Sequence, residues 1–485
     1  MNTNNRQPEF LQAAAARTAN NWKRQTAWVI AVLSAYGLLL SLQPTSPRPA
    51  VSLPLEDNRS LVSNAGLSLQ SFALSNLKTP TAGEFEDQNA KVPQLYPALD
   101  ELEMQFVELV QRYPNLAEIE QIGVSTARRR PIWGIRLANP SHRENDRPAV
   151  LFTALHHARE PAGLFICKAI MEELLGNYGT STRHTRLLDS LDVWLVPIVN
   201  PDGYDYVLQS SQQFPWWRKN LRDNDGDGSF DPLIDGVDLN RNYDYNWQEG
   251  GDDNPSSWFY RGDEAFSELE IQAIRDLARR ENFVIGVSYH SYGEAILYPW
   301  GNYHHVPDYK LIMEIVEGCA SLIGRQSGNG TYGFLPLNGR VGQSSVWMYG
   351  ELGVIDFTIE AGEKYFPTAE ELLVIVRENL RGALYLLERA LRSGISGHVF
   401  DAVTGTPLTA EVHVEGLNRT YVKARHSNGR FGRFDRLLLP GNYNLEIRQS
   451  GYLPFRLQQV AVSENRVTQL EVALHRSDHH STNGN

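Results

Sequence analysis

The sequence predicts an α/β protein, with a mixed, mostly parallel sheet flanked by helices, followed by a C-terminal all-β sandwich. From about Tyr96 to Arg392, short apolar runs alternate with stretches of helical periodicity, the usual pattern of an α/β domain. After Gly394 the helical periodicity stops, and strand-like runs are separated by Thr-Gly, Asn-Gly and Pro-Gly turns. About 80 residues of that pattern are typical of a small β-sandwich.

Each element is predicted from the spacing of its apolar residues. A first helix covers Leu99–Val110 and ends at Tyr113-Pro114-Asn115. Buried strands are predicted at Ala149–Leu155, Val193–Val199, Phe283–Tyr289 and Val354–Ile359. Helices are predicted at Ala162–Leu175, Glu268–Glu281, Pro307–Ile323 and Ala369–Leu391. Two of these helices start with capping boxes, Ser267-x-x-Glu270 and Thr368-x-x-Glu371. The sandwich strands are predicted at Ile395–Phe400, Ala410–Val414, Arg436–Leu439 and Tyr443–Ile447.

The N-terminal region predicts export. Arg17, Lys23 and Arg24 precede an uncharged, largely apolar stretch from Gln25 to Gln43, which fits an export signal better than a full membrane span. Both a cleaved signal peptide and an uncleaved membrane anchor remain open. The expected organisation is a basic region with signal or anchor at 1–42, a flexible linker at 43–92, a main domain at 93–393, a sandwich at 394–475 and a disordered tail at 476–485.

Composition excludes two classes of protein. The net charge of -12 has no counterweight in a long basic block, so nucleic acid is not an expected partner. The two cysteines, Cys167 and Cys319, could form one bridge at most, which excludes a disulfide scaffold. The oligomeric state is left open.

Site-type residues follow three of the predicted strands. His157 and Glu160 come just after Ala149–Leu155, His290 follows the third strand, and Glu360 follows the fourth. Ligands of an open α/β sheet bind beyond the carboxyl ends of its strands. Imidazole nitrogens and carboxylate oxygens are zinc ligands, so this arrangement predicts one zinc ion per chain. The adjacent His156 leaves open which of the two imidazoles points inward.

Tyr96 to Arg392 resembles the zinc metallocarboxypeptidases of the funnelin type, both the A/B and N/E branches. The resemblance rests on six stretches in matching order: HHARE at 156–160, VNPDGY at 199–204, WRKN at 217–220, VDLNRNY at 237–243, YHSYGEAILYPWG at 289–301 and FTIE at 357–360. The segments EKYFP, NLRGALYLLER, ISGHVFDAVTGTPL and GRFDRLLLPGNY resemble the N/E branch, in which a transthyretin-like sandwich follows the catalytic domain.

The resemblance implies a role for each matched residue. The zinc ligands would be His157, Glu160 and His290, and Glu360 would be the general base that takes a proton from zinc-bound water. Arg218 would stabilise the oxyanion of the scissile carbonyl. Asn240 and Arg241 would bind the terminal carboxylate of the substrate, and a bidentate arginine suits that group. Arg159 and Tyr292 would line outer subsites.

Two positions depart from the family pattern. Counting without a gap puts Asn338 where relatives carry a mobile tyrosine over the substrate, and Tyr332 is the alternative if the loop is longer. Ser345 matches a pocket position that is aspartate in the relatives preferring basic C-termini. The preferred C-terminal residue is therefore left open.

An acidic loop lies between WRKN and VDLNRNY. Its carboxylates are Asp223, Asp225 and Asp227, spaced by Gly226 and Gly228 and followed by Asp231. This spacing matches the start of a calcium loop, although position 12 is Ile234 rather than glutamate. A calcium site and an acidic glycine turn are both retained as interpretations.

The expected activity is zinc-dependent removal of the C-terminal residue from peptides or proteins. One alternative is a zinc amide hydrolase acting on peptidoglycan stem peptides. Another is a catalytically inactive binding protein on the same fold. Retention of all three ligand positions and of Glu360 favours an enzyme.

Overall fold

The computed structural model describes residues 95–140, 146–210, 214–281, 283–299, 306–337, 339, 341–417 and 419–477. The predicted signal or anchor at 25–43, the linker at 43–92 and most of the predicted tail lie outside these residues. Among the helices of the described part, none has the length and apolar character needed to cross a membrane.

Eight strands form the main sheet, in the order β1-β2-β4-β3-β5-β8-β6-β7. They are β1 Ala117–Val124, β2 Pro131–Leu137, β3 Ala149–Ala154, β4 Asp192–Val196, β5 Phe283–His290, β6 Ala295–Tyr298, β7 Gly333–Pro336 and β8 Ile355–Glu360. The neighbours β4, β3, β5 and β8 run parallel, as do β6 and β7, and the other three neighbouring pairs are antiparallel. The predicted mixed, mostly parallel sheet is confirmed.

Helices cover both faces of this sheet. They are α1 Leu99–Arg112, α2 Ala162–Gly176, α3 Thr182–Ser190, α4 Pro201–Gln209, α5 Leu269–Glu281, α6 Tyr309–Ala320, α7 Ser344–Leu352 and α8 Ala369–Arg389. On one face α2 packs on β3 and β5 and against α8. A Cβ at Gly163 of α2 would lie 2.6 Å from the Cβ of Tyr289, so glycine allows this close approach. On the other face α5 and α7 bury a core that includes Leu151, Trp194, Ile274 and Trp347.

One of the two predicted capping boxes forms. The Thr368 hydroxyl accepts from the backbone N–H of Glu371, whose carboxylate accepts from the Thr368 N–H, so α8 is capped as predicted. At α5 the prediction is wrong. Ser267 donates to the Glu268 carboxylate, and the Glu270 side chain turns inward to accept from the Thr126 hydroxyl.

The C-terminal region is a sandwich of two sheets, ordered β11-β10-β13-β14 and β12-β9-β15. The strands are β9 Gly394–Asp401, β10 Glu411–Val414, β11 Arg425–His426, β12 Arg433–Leu437, β13 Gly441–Arg448, β14 Phe455–Val462 and β15 Val467–Leu474. Their facing side chains form one apolar core, which includes Val399, Val412, Phe434 and Ile447. The predicted all-β sandwich is confirmed.

Polar contacts join the sandwich to the main domain. The Arg436 Nη2 donates to Asp308 Oδ1 at 2.6 Å, and Arg433 Nη1 donates to the backbone oxygen of Asp146 at 3.2 Å. His398 Nε2 lies 2.9 Å from the Asp146 carboxylate. Charged side chains of the sheet β12-β9-β15 therefore form part of the contact between the sandwich and the main domain.

Buried carboxylates tie α5 to the segment that carries Arg218. Asn220 Nδ2 donates to Glu268 Oε2 at 2.7 Å and approaches Glu270 Oε1 at 3.4 Å. Burial and the Glu268 carboxylate raise the pKa of Glu270 to about 8. The unfolded chain releases this proton near pH 4.5, so the folded state binds more protons between about pH 4.5 and 8. The contribution of Glu270 to stability is therefore fully present below about pH 4.5 and is lost as the pH rises toward 8.

Glu270→Gln is expected to remove this loss of stability, because the amide stays uncharged. The unfolding free energy of the variant minus that of the parent should grow from pH 5 to pH 8 by a few kcal/mol at most. Chemical denaturation at several pH values measures the difference. The same change at exposed Glu264 is the control, and a difference for Glu270→Gln that does not vary with pH would contradict the assignment.

Candidate active site

The HHARE segment begins directly beyond β3. Leu155 takes a left-handed φ of 56°, which turns the chain sharply at the end of the strand. Asn200 then fixes the segment, since its Nδ2 donates to the backbone oxygens of His156 and Lys219. The Ala158 N–H donates to the Arg218 backbone oxygen at 3.1 Å. HHARE and WRKN are therefore held side by side.

Three side chains converge at this edge of the sheet. His157 Nδ1 and His290 Nδ1 each lie 2.9 Å from Glu160 Oε2, and the two nitrogens lie 2.9 Å from each other. All three residues are buried. The structure thus brings together the residues that the sequence proposes as zinc ligands.

The donor set fits zinc. Two imidazole nitrogens and one carboxylate oxygen form the ligand set of many catalytic zinc sites. In a tetrahedral zinc site, ligand atoms are separated by about 3.3 Å, close to the 2.9 Å triangle of His157, Glu160 and His290. Burial alone would raise the pKa of Glu160, but His157 and His290 hold that pKa well below its usual range.

His156 points away from this triangle. Its Nε2 lies 2.8 Å from the Tyr243 hydroxyl, and its Nδ1 lies 3.2 Å from the Ser288 hydroxyl. Burial, with the neighbouring His290 and His157, lowers the pKa of His156 well below its usual value. The structure therefore settles the ambiguity left by the sequence, with His157 facing inward.

Asp238 is a site residue that sequence reasoning missed. Its carboxylate lies 3.2 Å from His157 Nε2 and accepts from Arg218 Nε at 2.9 Å. Burial would raise the pKa of Asp238, but Arg218, Arg241 and His157 hold it well below its usual range. A carboxylate on the far nitrogen of a ligating histidine fixes its tautomer and orientation. The sequence feature that could have indicated Asp238 is its position in VDLNRNY, two residues before Asn240.

Arg218 is held by two carboxylates. Its Nε pairs with Asp238, and its Nη1 lies 3.6 Å from Glu160 Oε1. Burial would lower the pKa of Arg218, but these two carboxylates raise it. The guanidinium therefore remains charged in a desolvated place, where a donor to a developing oxyanion is most effective.

Asn240 and Arg241 lie beside the triangle. Asn240 Nδ2 lies 3.2 Å from His290 Nε2, and its Oδ1 accepts from the Ser344 N–H. Arg241 Nη1 donates to the Asn240 backbone oxygen at 2.6 Å. The ring of Phe259 lies 5.4 Å from the guanidinium carbon of Arg218 and 5.5 Å from that of Arg241. Phe259 thus contacts the guanidinium groups of both arginines, a contact that no sequence motif indicated.

Aromatic rings line the proposed outer subsite. The Arg159 guanidinium carbon lies 4.4 Å from the ring centroid of Tyr365, and Arg159 Nη1 donates to the Trp216 backbone oxygen. Tyr292 is 47% exposed and packs edge-on against Tyr365, with centroids 4.9 Å apart. Arg159 and Tyr292 therefore both contact the ring of Tyr365. Tyr365 was not predicted as a site residue from the sequence.

Glu360 ends β8 opposite His290. The two residues are partners in the parallel β5–β8 register, so their side chains leave the same face of the sheet. The Ala361 N–H donates to the His290 backbone oxygen, which fixes the strand end. Glu360 is partly exposed, as a group that meets solvent and substrate must be.

The same face continues below Glu360 to Ser345 of α7. Ser345 is buried, and its hydroxyl donates to Asp356 Oδ1 and lies 3.0 Å from the Thr358 hydroxyl. Burial raises the pKa of Asp356 to about 7, against the hydrogen bond from Ser345. A neutral Ser345 is thus backed by a carboxyl group from the neighbouring strand.

Tyr332 is not placed to cover a substrate. It is 4% exposed, and its hydroxyl accepts from the Gly362 N–H at 3.0 Å and from Asn379 at 3.2 Å. The alternative in which Tyr332 replaces the mobile tyrosine is therefore wrong. Asn338 lies outside the described residues.

The acidic loop only partly matches the predicted calcium set. Carboxylate oxygens of Asp223, Asp225 and Asp235 lie within 4.8 Å of one another, a group that includes neither Asp227 nor Asp231. Asp223 and Asp235 accept backbone N–H groups of the loop itself. These contacts fit a tight acidic turn, and calcium stays a prediction from the sequence.

Asp238→Asn is expected to weaken zinc binding by roughly 10–100-fold, because the amide no longer accepts a charge-assisted bond from His157. Titration against a competing chelator measures the zinc affinity. Asp205→Asn is a matched control, since Asp205 pairs with Arg128 and Arg130 away from the triangle. Equal zinc affinity in the two variants would contradict the role of Asp238.

Comparisons with known proteins agree with this geometry. A sequence profile described as zinc carboxypeptidase matches residues 102–382. Metallocarboxypeptidase A of Arthroderma otae is 35% identical over 163 residues, 33% of this chain and 37% of that protein. Carboxypeptidase B of Bos taurus is 29% identical over 252 residues, 48% of this chain and 58% of that protein. The chain therefore spans less than two thirds of either relative.

A solved structure shares the fold. The crystal structure of carboxypeptidase A from Helicoverpa armigera matches with a TM-score of 0.54 at 24% identity, covering 66% of this chain and 78% of that chain. At this identity the likeness concerns the fold alone. The profile, by contrast, covers more than half of the 485 residues. This chain belongs to the zinc carboxypeptidase family, which is zinc-dependent.

Proposed function

We propose that this protein is a zinc-dependent exopeptidase that hydrolyses the C-terminal peptide bond of peptides or proteins. The observation that carries the proposal is the buried triangle of His157, Glu160 and His290, with Glu360 in register beside it. The names of the curated relatives, metallocarboxypeptidase A and carboxypeptidase B, also support it. They do not favour a cell-wall amide hydrolase or an inactive binding protein.

Each of these residues has a different role in hydrolysis. His157, Glu160 and His290 would hold the zinc ion, which would supply Lewis acidity for the water and the scissile carbonyl. Glu360 accepts the proton of the attacking water and returns it to the leaving amine. Arg218, held in place by Asp238, donates to the carbonyl oxygen as its negative charge develops.

Selection of a chain end rests on Asn240 and Arg241. A guanidinium and an amide bind a terminal carboxylate through several donors, and an internal peptide bond offers no such group. The ring of Phe259 supports this role, because it lies within 5.5 Å of the guanidinium carbons of both Arg241 and Arg218, so a carboxylate bound by Arg241 would lie in the same part of the site as a carbonyl bound by Arg218. Arg159, Tyr292 and Tyr365 would contact residues further from the chain end.

Two other parts of the molecule complete the proposal. Residues 394–475 would be a transthyretin-like domain, which two packed sheets of four and three strands support. The segment at 25–43 would direct export, as a signal peptide or an anchor, which rests on its sequence alone.

A panel of peptides with varied C-termini tests the function. The zinc-loaded protein is expected to release one residue at a time from the C-terminus, as read by mass spectrometry, and a chelator should stop the release. Cleavage restricted to cell-wall peptides would favour the amide hydrolase. A folded, zinc-loaded protein that cleaves nothing would favour the binding protein.

Arg241→Ala is expected to raise KM for free-acid peptides on the order of 10–100-fold with a smaller effect on kcat, since a charge-assisted bond contributes about 1.5–3 kcal/mol. Steady-state kinetics measure both constants. C-terminally amidated peptides are the control and should be poor substrates of the parent enzyme. If the parent cleaves amidated and free peptides equally well, Arg241 does not bind the carboxylate.

A further inference from the structure

A large cleft lies at the junction of the main domain and the sandwich. Its volume is about 850 Å³, and none of the proposed active-site residues lines it. One wall comes from residues 146–148 and the end of α3, and the other from β9, β12 and β15. The cleft is in the size range of sites for small organic ligands.

The carboxylates in its walls are already engaged. Asp435 accepts two bonds of 2.8 Å from Arg433, and Glu471 lies 3.0 Å from His398 Nδ1. Asp146 Oδ2 lies 2.9 Å from His398 Nε2, and its Oδ1 lies 3.5 Å from Arg433 Nη1. The fourth, Asp189, accepts from a tyrosine hydroxyl and an asparagine amide. Each of these four carboxylates therefore has at least one polar side-chain partner.

A buried guanidinium in the wall is incompletely paired. The Arg147 side chain is 4% exposed, and its Nη1 donates to the Leu188 backbone oxygen. Its Nε lies 3.3 Å from Asp192, a carboxylate that also pairs with Arg136. Among the described residues, its Nη2 has no hydrogen-bond partner. A buried charged donor without an acceptor is costly, so an acceptor brought to Nη2 would stabilise this side chain.

Two further arginines stand at the exposed part of the cleft. Arg186 and Arg466 both line it, both are exposed, and neither forms an ion pair with any residue in the described ranges. A guanidinium presents donors in a planar fork that fits carboxylate or phosphate. These two arginines and Arg147 place three guanidinium groups along the cleft.

Part of the remaining wall is apolar. Leu391, Ile395, Leu437 and Val467 line the cleft. A bare inorganic anion would leave this surface and most of the volume unused. A ligand that carries its acidic group on an apolar body would fill both.

We propose that this cleft binds an organic anion, whose carboxylate or phosphate group is held by Arg147, Arg186 and Arg466 while its apolar body packs on the leucine, isoleucine and valine side chains. The site is separate from the proposed peptidase centre and does not depend on it.

Isothermal titration of the zinc-loaded protein at low ionic strength tests the site, with phenyl phosphate, phenylacetate and neutral benzyl alcohol as probes. Either anion should bind, and the tighter of the two identifies the class of acidic group. Benzyl alcohol should not bind measurably. In Arg186→Gln/Arg466→Gln the affinity for the anion should fall on the order of tenfold or more. Both positions are exposed, so this variant is expected to fold.

Two control variants locate the binding. Arg112→Gln removes an exposed arginine that does not line the cleft and should bind as the parent does. Arg241→Ala should also keep the affinity for the anion, because Arg241 does not line the cleft. A loss of affinity in this variant would show that the anion binds at the proposed peptidase centre instead. The proposal is overturned if neither anion binds, if benzyl alcohol binds equally well, or if the double variant keeps the parent affinity.

Discussion

Glu360→Gln is expected to lower kcat by about 10²–10⁴-fold while zinc remains bound. The amide keeps the size of the side chain but cannot accept a proton from water. Glu360 is not one of the three converging ligand residues, and its strand register places it beside them. Single-turnover hydrolysis of a free-acid peptide, together with zinc content by mass spectrometry, measures both quantities.

The neighbouring strand offers the control for this change. Asp356 lies on the same face of β8, four residues before Glu360, and Asp356→Asn makes the same acid-to-amide change without removing the proposed base. It should keep kcat within about tenfold, because Asp356 contacts Ser345 and not the triangle. Full turnover by Glu360→Gln would remove Glu360 from the mechanism.

His157→Ala is expected to abolish stoichiometric zinc binding. It removes one of three ligand atoms and leaves Asp238 without its imidazole partner. The loss of zinc affinity should exceed the roughly 10–100-fold cost of losing an outer hydrogen-bond partner. Zinc content after dialysis against a weak chelator measures the result, and peptidase activity should fall with it.

The adjacent histidine provides a matched comparison. His156→Gln keeps a polar group near Tyr243 and Ser288 and should retain zinc, although lost hydrogen bonds should cost about 1–3 kcal/mol of stability. Thermal unfolding identifies that cost separately from zinc content. Zinc loss in His156→Gln with zinc retained by His157→Ala would invert the assignment.

Much of the main domain was predictable because apolar periodicity reports burial directly. The central strands β3 and β5 are mostly apolar along their length, since helices cover both faces of the sheet. The hairpin of β1 and β2 was missed. Three of the eight residues of β1 are polar and exposed, and only Ala117 is buried, so its pattern lacks the signal of a buried strand.

The site was predictable where residues follow strand ends, and was missed where contacts cross between loops. His290 and Glu360 end adjacent strands, so topology alone brings them together. Asp238, Phe259 and Tyr365 act through contacts with Arg218, Arg241 and Arg159, and no sequence spacing encodes those pairings. The burial of Tyr332 could not be predicted for the same reason, because its hydrogen bond with Gly362 joins two segments that are distant in the sequence.

Anomalous diffraction at the zinc absorption edge, from crystals of the full chain grown with zinc, tests the central claim most directly. We predict one strong peak at about 2.0–2.2 Å from His157 Nδ1, Glu160 Oε2 and His290 Nδ1 together. No peak at that triangle, or zinc bound only at other residues, would contradict the assignment of a catalytic zinc centre to this protein.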